Sequence, residues 1–110
     1  MKKLVFILLF LFTTIGFSNT VSLQWDANSE PDVAGYKIYY GTNSGIYFVS
    51  IDVGNVTTTT VGNLKPGITY YFAATAYNVS RLESDRSNEV SYTVPSTNKP
   101  AIVTNFKRKE

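Results

Sequence analysis

Ile68-Thr69-Tyr70-Tyr71-Phe72-Ala73-Ala74-Thr75-Ala76-Tyr77-Asn78 is the longest extended run in the chain, and its alternation decides the architecture. Tyr70, Phe72, Ala74 and Ala76 fall on one face of a strand, large side chains followed by small ones. That taper suits a crowded core between two sheets packed about 10 Å apart. Upstream, Val21, Leu23 and Trp25 alternate with Ser22 and Gln24, and Tyr36, Ile38 and Tyr40 alternate with Lys37 and Tyr39. Each of these runs has one face to bury. Gly41 to Gly45 makes a turn, and Tyr47 to Val53 and the threonine-rich Thr57 to Val61 supply two further strands on either side of a reversal at Gly54-Asn55. Downstream, Val90, Tyr92 and Val94 form the last strand, which Pro95 stops. With no helical period past residue 18, six or seven such strands predict an all-β antiparallel sandwich.

The segment Trp25-Asp26-Ala27-Asn28-Ser29-Glu30-Pro31-Asp32-Val33-Ala34-Gly35-Tyr36-Lys37-Ile38-Tyr39-Tyr40-Gly41 resembles the second and third strands of a bacterial-type fibronectin type III domain, with Trp25 as the core tryptophan. Leu64-Lys65-Pro66-Gly67-Ile68-Thr69-Tyr70 is similar to that family's tyrosine corner, and Ser87-Asn88-Glu89-Val90 to its entry into the last strand. The resemblance runs from Val21 to Pro95. It implies an immunoglobulin-like sandwich whose structural core includes Trp25, Tyr36, Leu64, Pro66 and Tyr70. At the corner Leu64 plugs the core, Pro66-Gly67 turns, and the Tyr70 hydroxyl returns to an upstream backbone group. The family also has a first strand, which would fall here on Thr13 to Ser18.

That position collides with a different reading of the first residues. Lys2 and Lys3 precede an apolar run from Leu4 to Phe12, and Thr13 to Ser18 turns smaller and more polar, with Gly16 and Ser18 at the third and first places before a cut. Residues 1–18 therefore read as a signal peptide, since a spanning helix needs about 20 mostly apolar residues. The domain becomes 19–95, and 96–110 a basic C-terminal tail or truncated linker. A secreted protein is expected, extracellular or periplasmic, with no stable membrane insertion once the leader is gone. Cleavage would leave the Val21 to Trp25 strand with an open edge. A leader retained further, the apolar tail Ala101 to Phe106 folding back, or a strand from a partner would fill it. Cysteine is absent, so the core alone has to hold the fold.

Charge and residue types narrow the function. Between Asn19 and Pro95 four bases face seven acids, while Lys99, Lys107, Arg108 and Lys109 make the tail basic. A nucleic-acid partner is not expected of a domain without a cationic footprint. Neither His nor Cys is present, which removes the common triads and soft-metal sites, so no enzyme activity, metal or cofactor is expected. The alternation Asp26, Asn28, Glu30, Asp32 departs from a calcium loop, with Pro31 in place of glycine and Lys37 in place of the bidentate acid. Glu30, Asp32, Arg81, Glu83, Asp85 and Arg86 cluster in two loops at one end, a set suited to salt bridges between loops. Tyr39, Tyr71, Thr75 and Tyr77 should point outward from one sheet, and exposed tyrosines suit contact with a protein or a glycan. The expected function is a secreted binding or spacer module for protein contact or adhesion. A carbohydrate-binding accessory domain of a secreted hydrolase and a purely structural spacer are the alternatives.

Overall fold

The computed structural model describes residues 7–10, through their backbone, together with 19–96 and 102–109. Seven strands occur in these residues, β1 (Ile7–Phe10), β2 (Val21–Trp25), β3 (Val33–Gly41), β4 (Val49–Gly54), β5 (Thr58–Val61), β6 (Thr69–Asn78) and β7 (Val90–Thr93). They form a three-stranded sheet, β1-β2-β5, and a four-stranded sheet, β4-β3-β6-β7. All pairs are antiparallel. No helix occurs among the described residues.

The two inner faces close on each other as the alternation predicts. Val21, Leu23, Trp25 and Val61 come from the smaller sheet, and Tyr36, Ile38, Tyr70, Phe72, Ala74 and Ala76 from the larger, all buried in one cluster with Leu64 and Val94. Trp25 and Tyr36 meet with ring centroids 5.5 Å apart. Buried phenols keep a partner for the hydroxyl. Tyr36 accepts from the Asn28 backbone N–H at 2.8 Å, and Tyr70 accepts from the Lys65 N–H at 2.9 Å, closing the expected corner. Pro66, expected in the core, is exposed, because it stands at the outer corner of the turn. Gly67 carries the positive φ of 78° that the turn requires, and the Ile68 N–H returns to the Lys65 carbonyl. Gly54, at φ 78°, supplies the reversal between β4 and β5.

Two expectations at the ends of the chain change. The place beside β2 is taken by Ile7–Phe10, with Ile7 opposite Trp25 and Phe10 opposite Ser22. Thr13 to Ser18, where the first strand was expected, lies outside the described residues. The tail does not fold back onto the domain, for Ile102, Val103 and Phe106 are 86%, 73% and 90% exposed. The edge beside β2 is already taken by β1, and the direction of exit disfavours the tail there as well. Val94 sits at the same pole as Asn19, since Leu64 and Gly67 bond to the carbonyls of Asn19 and Val94 respectively, and a strand antiparallel to β2 has to enter from the opposite, Trp25 pole.

Candidate functional site

The outward face of the larger sheet carries the candidate tyrosines, and the structure covers most of it. On β6 the outward residues are Tyr71, Ala73, Thr75 and Tyr77, opposite Gly41, Tyr39, Lys37 and Gly35 of β3. Ala73, Thr75 and Tyr77 are nonetheless 1%, 1% and 7% exposed. Thr75 and Tyr77 are thus not open surface, while Tyr39 and Tyr71 are half-buried. The cover comes from the connection between β6 and β7.

That connection is organised by Asn78. Its side-chain oxygen accepts from the N–H groups of Ser80 and Leu82, both at 3.0 Å, and Arg81 adopts the left-handed conformation at φ 66° to close the turn. The chain then runs along the edge of β6 that β7 leaves free. Ser84 and Ser87 donate backbone N–H bonds to the carbonyls of Ala76 and Ala74, and their hydroxyls accept from the N–H groups of those same alanines at 2.9 Å. Held there, the loop places Arg81, Glu83 and Arg86 over the sheet.

Each of these side chains meets an outward partner. Glu83 pairs with Lys37 Nζ at 3.2 Å and accepts from the Tyr39 hydroxyl. The Arg81 guanidinium lies 5.2 Å from the Tyr77 ring centroid, with Lys37 Nζ at 5.9 Å from the same ring. Arg86 stands between two rings, 4.9 Å from Tyr47 and 5.5 Å from Tyr39. The Tyr77 hydroxyl donates to Asp52 on β4, at 2.8 Å. At the other end Glu89 accepts from the Ser44 hydroxyl at 2.5 Å, the Gly45 N–H at 2.8 Å and the Tyr47 hydroxyl at 2.7 Å. A continuous stripe of alternating charge and phenol therefore crosses the sheet from Asp52 to Ser44.

The electrostatics follow from these bonds. Burial alone would raise the Glu83 carboxyl, but the bonds from Tyr39 and Lys37 outweigh it and hold it below the ordinary carboxylate range. Hydrogen bonds from Ser44, Tyr47 and Gly45 lower Glu89, and those from Gly54 N–H and Tyr77 lower Asp52. Burial, reinforced by the bonds to their carboxylates, raises Tyr39 and pushes Tyr47 up to about 12.

Of the loop-end candidates, Arg81, Glu83 and Arg86 join this stripe. The backbone carbonyls of Glu30 and Asp32 accept from the N–H groups of Val33 and Val79. The Asp85 carbonyl accepts from the Ser84 hydroxyl. Charge pairing from the β6–β7 loop reaches the strands, through Glu83 and Lys37. Lys37, Tyr47, Asp52 and Glu89 were missed as members of the set. Lys37 and Asp52 were legible as outward positions, and the small outward Ala73 and Thr75 were the sign that something lies on top. Among the described residues no group of three or more His, Cys, Asp or Glu side chains is placed to hold a metal, and no helix is long and apolar enough to cross a membrane.

Residues 12–93 match the family model of the fibronectin type III domain. The chain belongs to the fibronectin type III family. A solution structure of a fibronectin type III domain from a human protein superposes with a TM-score of 0.67 at 22% identity, covering 98% of this chain and 85% of that one. The first three such domains of chicken CNTN1 give 0.67 at 22% identity over 82% of this chain and 31% of theirs. A like fold occurs in the spore cortex lytic enzyme SleM of Clostridium perfringens, with a TM-score of 0.59 at 16% identity over 84% of this chain and 28% of that one. In sequence, the chain is 49% identical over 61 residues to a Kelch domain-containing protein of Saccharolobus solfataricus, covering 56% of this chain, and 37% identical over 87 residues to one of Sulfurisphaera tokodaii, covering 78%. It spans only 8% and 11% of those relatives' own lengths. This fibronectin type III domain thus corresponds to a small part of each.

Proposed function

We propose that the domain is a secreted, non-catalytic module that mediates protein contact or spaces the parts of a larger assembly. The exposed apolar side chains beside the stripe carry this reading. Ile46 and Phe48 are 54% and 74% exposed on the β3–β4 connection, and Val49 continues them onto the sheet edge. Apolar side chains grouped in this way mark a contact surface. The short share of the Kelch domain-containing relatives that the chain spans fits a module within something longer. Fibronectin type III domains commonly serve as binding or spacer units, so the fold agrees with the reading without fixing the partner.

The commitment of the phenols bears on the glycan alternative. A sugar-stacking platform needs rings and hydroxyls free to turn toward a ligand, whereas Tyr39 and Tyr77 already give their hydroxyls to Glu83 and Asp52. Affinity capture from the envelope fraction of a producing cell, set beside a glycan array, tests the choice. Protein capture lost in Phe48→Asp, with an empty array, is the expected result. Glycan binding lost on substitution of Tyr71 would overturn it in favour of the accessory-domain reading.

A further inference from the structure

The edge of β2 and the C-terminal tail are complementary, and neither has a durable partner within one processed chain. Once residues 1–18 are removed, as the export reading above requires, β1 goes with them and β2 becomes the edge of a two-stranded sheet. The exposed backbone groups of that edge invite another strand. The structure shows what the edge accepts, namely an extended segment antiparallel to β2, four residues long, paired from Trp25 to Ser22. The tail offers a segment of that kind. Ile102, Val103 and Phe106 are apolar and exposed, and the stretch Ala101-Ile102-Val103-Thr104 is rich in β-branched residues.

We infer that the tail of one processed copy adds as a strand to the β2 edge of the next, building a head-to-tail chain of modules. Direction decides between a copy's own tail and its neighbour's. Val94 leaves the domain at the pole where β2 begins, so its own tail would have to run back along the whole of β2 and reverse before it could pair antiparallel. A second copy stacked end to end presents its Trp25 pole to that same exit. The tail then enters in the direction in which β1 runs, from Trp25 toward Ser22. The seven residues from Pro95 to Ala101 reach roughly 23 Å when extended, enough to cross a junction between modules. Charge assists the encounter, since the body carries seven acids against four bases and the tail carries Lys99, Lys107, Arg108 and Lys109. Because the contact joins two different surfaces, it grows without closing unless the end rotation happens to complete a ring.

The test uses the full chain produced in an exporting host. Intact mass of the recovered protein reports whether residues 1–18 are gone, and sedimentation velocity over a wide concentration range reports assembly. Expected are a processed mass and species larger than the monomer that grow with concentration. The double substitution Ile102→Asp/Val103→Asp, which charges whichever face turns inward, should return the protein to a folded monomer that still melts in one cooperative transition, at a temperature no higher than the parent's. A synthetic peptide of residues 96–110 added in excess should break assemblies of the unsubstituted protein. A processed protein that stays monomeric, or assemblies indifferent to both the substitution and the peptide, overturn the inference while leaving export intact. A mass that still includes residues 1–18 overturns both, because β1 then keeps the edge.

Discussion

The ring of Tyr77 lies on the backbone of Gly35, its cross-strand partner, in the space that a Cβ would take. A methyl group built there would fall 2.9 Å from Tyr77 Cε2 and closer still to the end of the ring. Gly35 is therefore glycine for room. Its small size lets the phenol lie across β3 and deliver its hydroxyl to Asp52 under the Arg81 guanidinium.

Gly35→Ala should lift Tyr77 off the sheet and cost about 1–3 kcal/mol, the usual range for forcing extra volume into a packed site. Urea unfolding monitors it. In a Tyr77→Ala background the same change should cost much less, because nothing remains to displace. Equal costs in both backgrounds would contradict the contact.

Tyr70 and Trp25 separate two kinds of core contribution. Tyr70→Phe keeps the ring in the cluster and removes only the acceptor for the Lys65 N–H, so a loss of about 1 kcal/mol is expected with the transition still cooperative. Trp25→Ala empties the space beside Tyr36 and should cost about 3–5 kcal/mol. Denaturant midpoints decide the order. If the phenylalanine variant proved the weaker of the two, the indole would not be the centre of the core.

Acid should loosen the stripe before it melts the core. Glu83, Glu89 and Asp52 all have carboxyls lowered from their ordinary values of 4.5, 4.5 and 3.8. The folded state therefore prefers the charged forms, and their contribution is complete above those values and lost as pH falls through the depressed ones. Melting temperature across a pH series should stay level near neutrality and decline once the pH drops below the ordinary carboxylate range. Glu83→Gln should flatten part of that decline. A variant curve parallel to the parent's would show that Glu83 carries none of it.

The inner faces were legible because a strand writes its burial into every second residue. Val21, Leu23 and Trp25, and Tyr70, Phe72, Ala74 and Ala76, declare a core without reference to any neighbour, and the Leu64 to Tyr70 spacing adds the crossover. The outward face could not be read in that way. Tyr39, Thr75 and Tyr77 occupy outward positions as expected, but their exposure depends on where the loop from Val79 to Glu89 lies, and that is set by Asn78, Ser84 and Ser87 bonding to backbone groups. Hydrogen bonds of this kind leave no periodic trace. Glu89 likewise binds Ser44, Gly45 and Tyr47, more than forty residues away in sequence, through the fold of the β3–β4 connection alone.

Tyr47 should be the tyrosine that most resists alkali. Burial first, and then the bond to Glu89, push its hydroxyl up from 10.0 to about 12 against the opposing pull of Arg86. A phenol held neutral in the fold adds stability that is whole below pH 10 and lost as pH climbs from there toward 12. Ultraviolet titration of phenolate absorbance should show a late-ionising group that disappears in Tyr47→Phe. Glu89→Gln keeps an acceptor oxygen but removes the charge that repels a phenolate, so the late group should ionise earlier. Arg86→Ala should move it the other way, since the guanidinium 4.9 Å from the ring favours the anion. Identical titrations in the parent and Glu89→Gln proteins would mean that the carboxylate does not govern Tyr47.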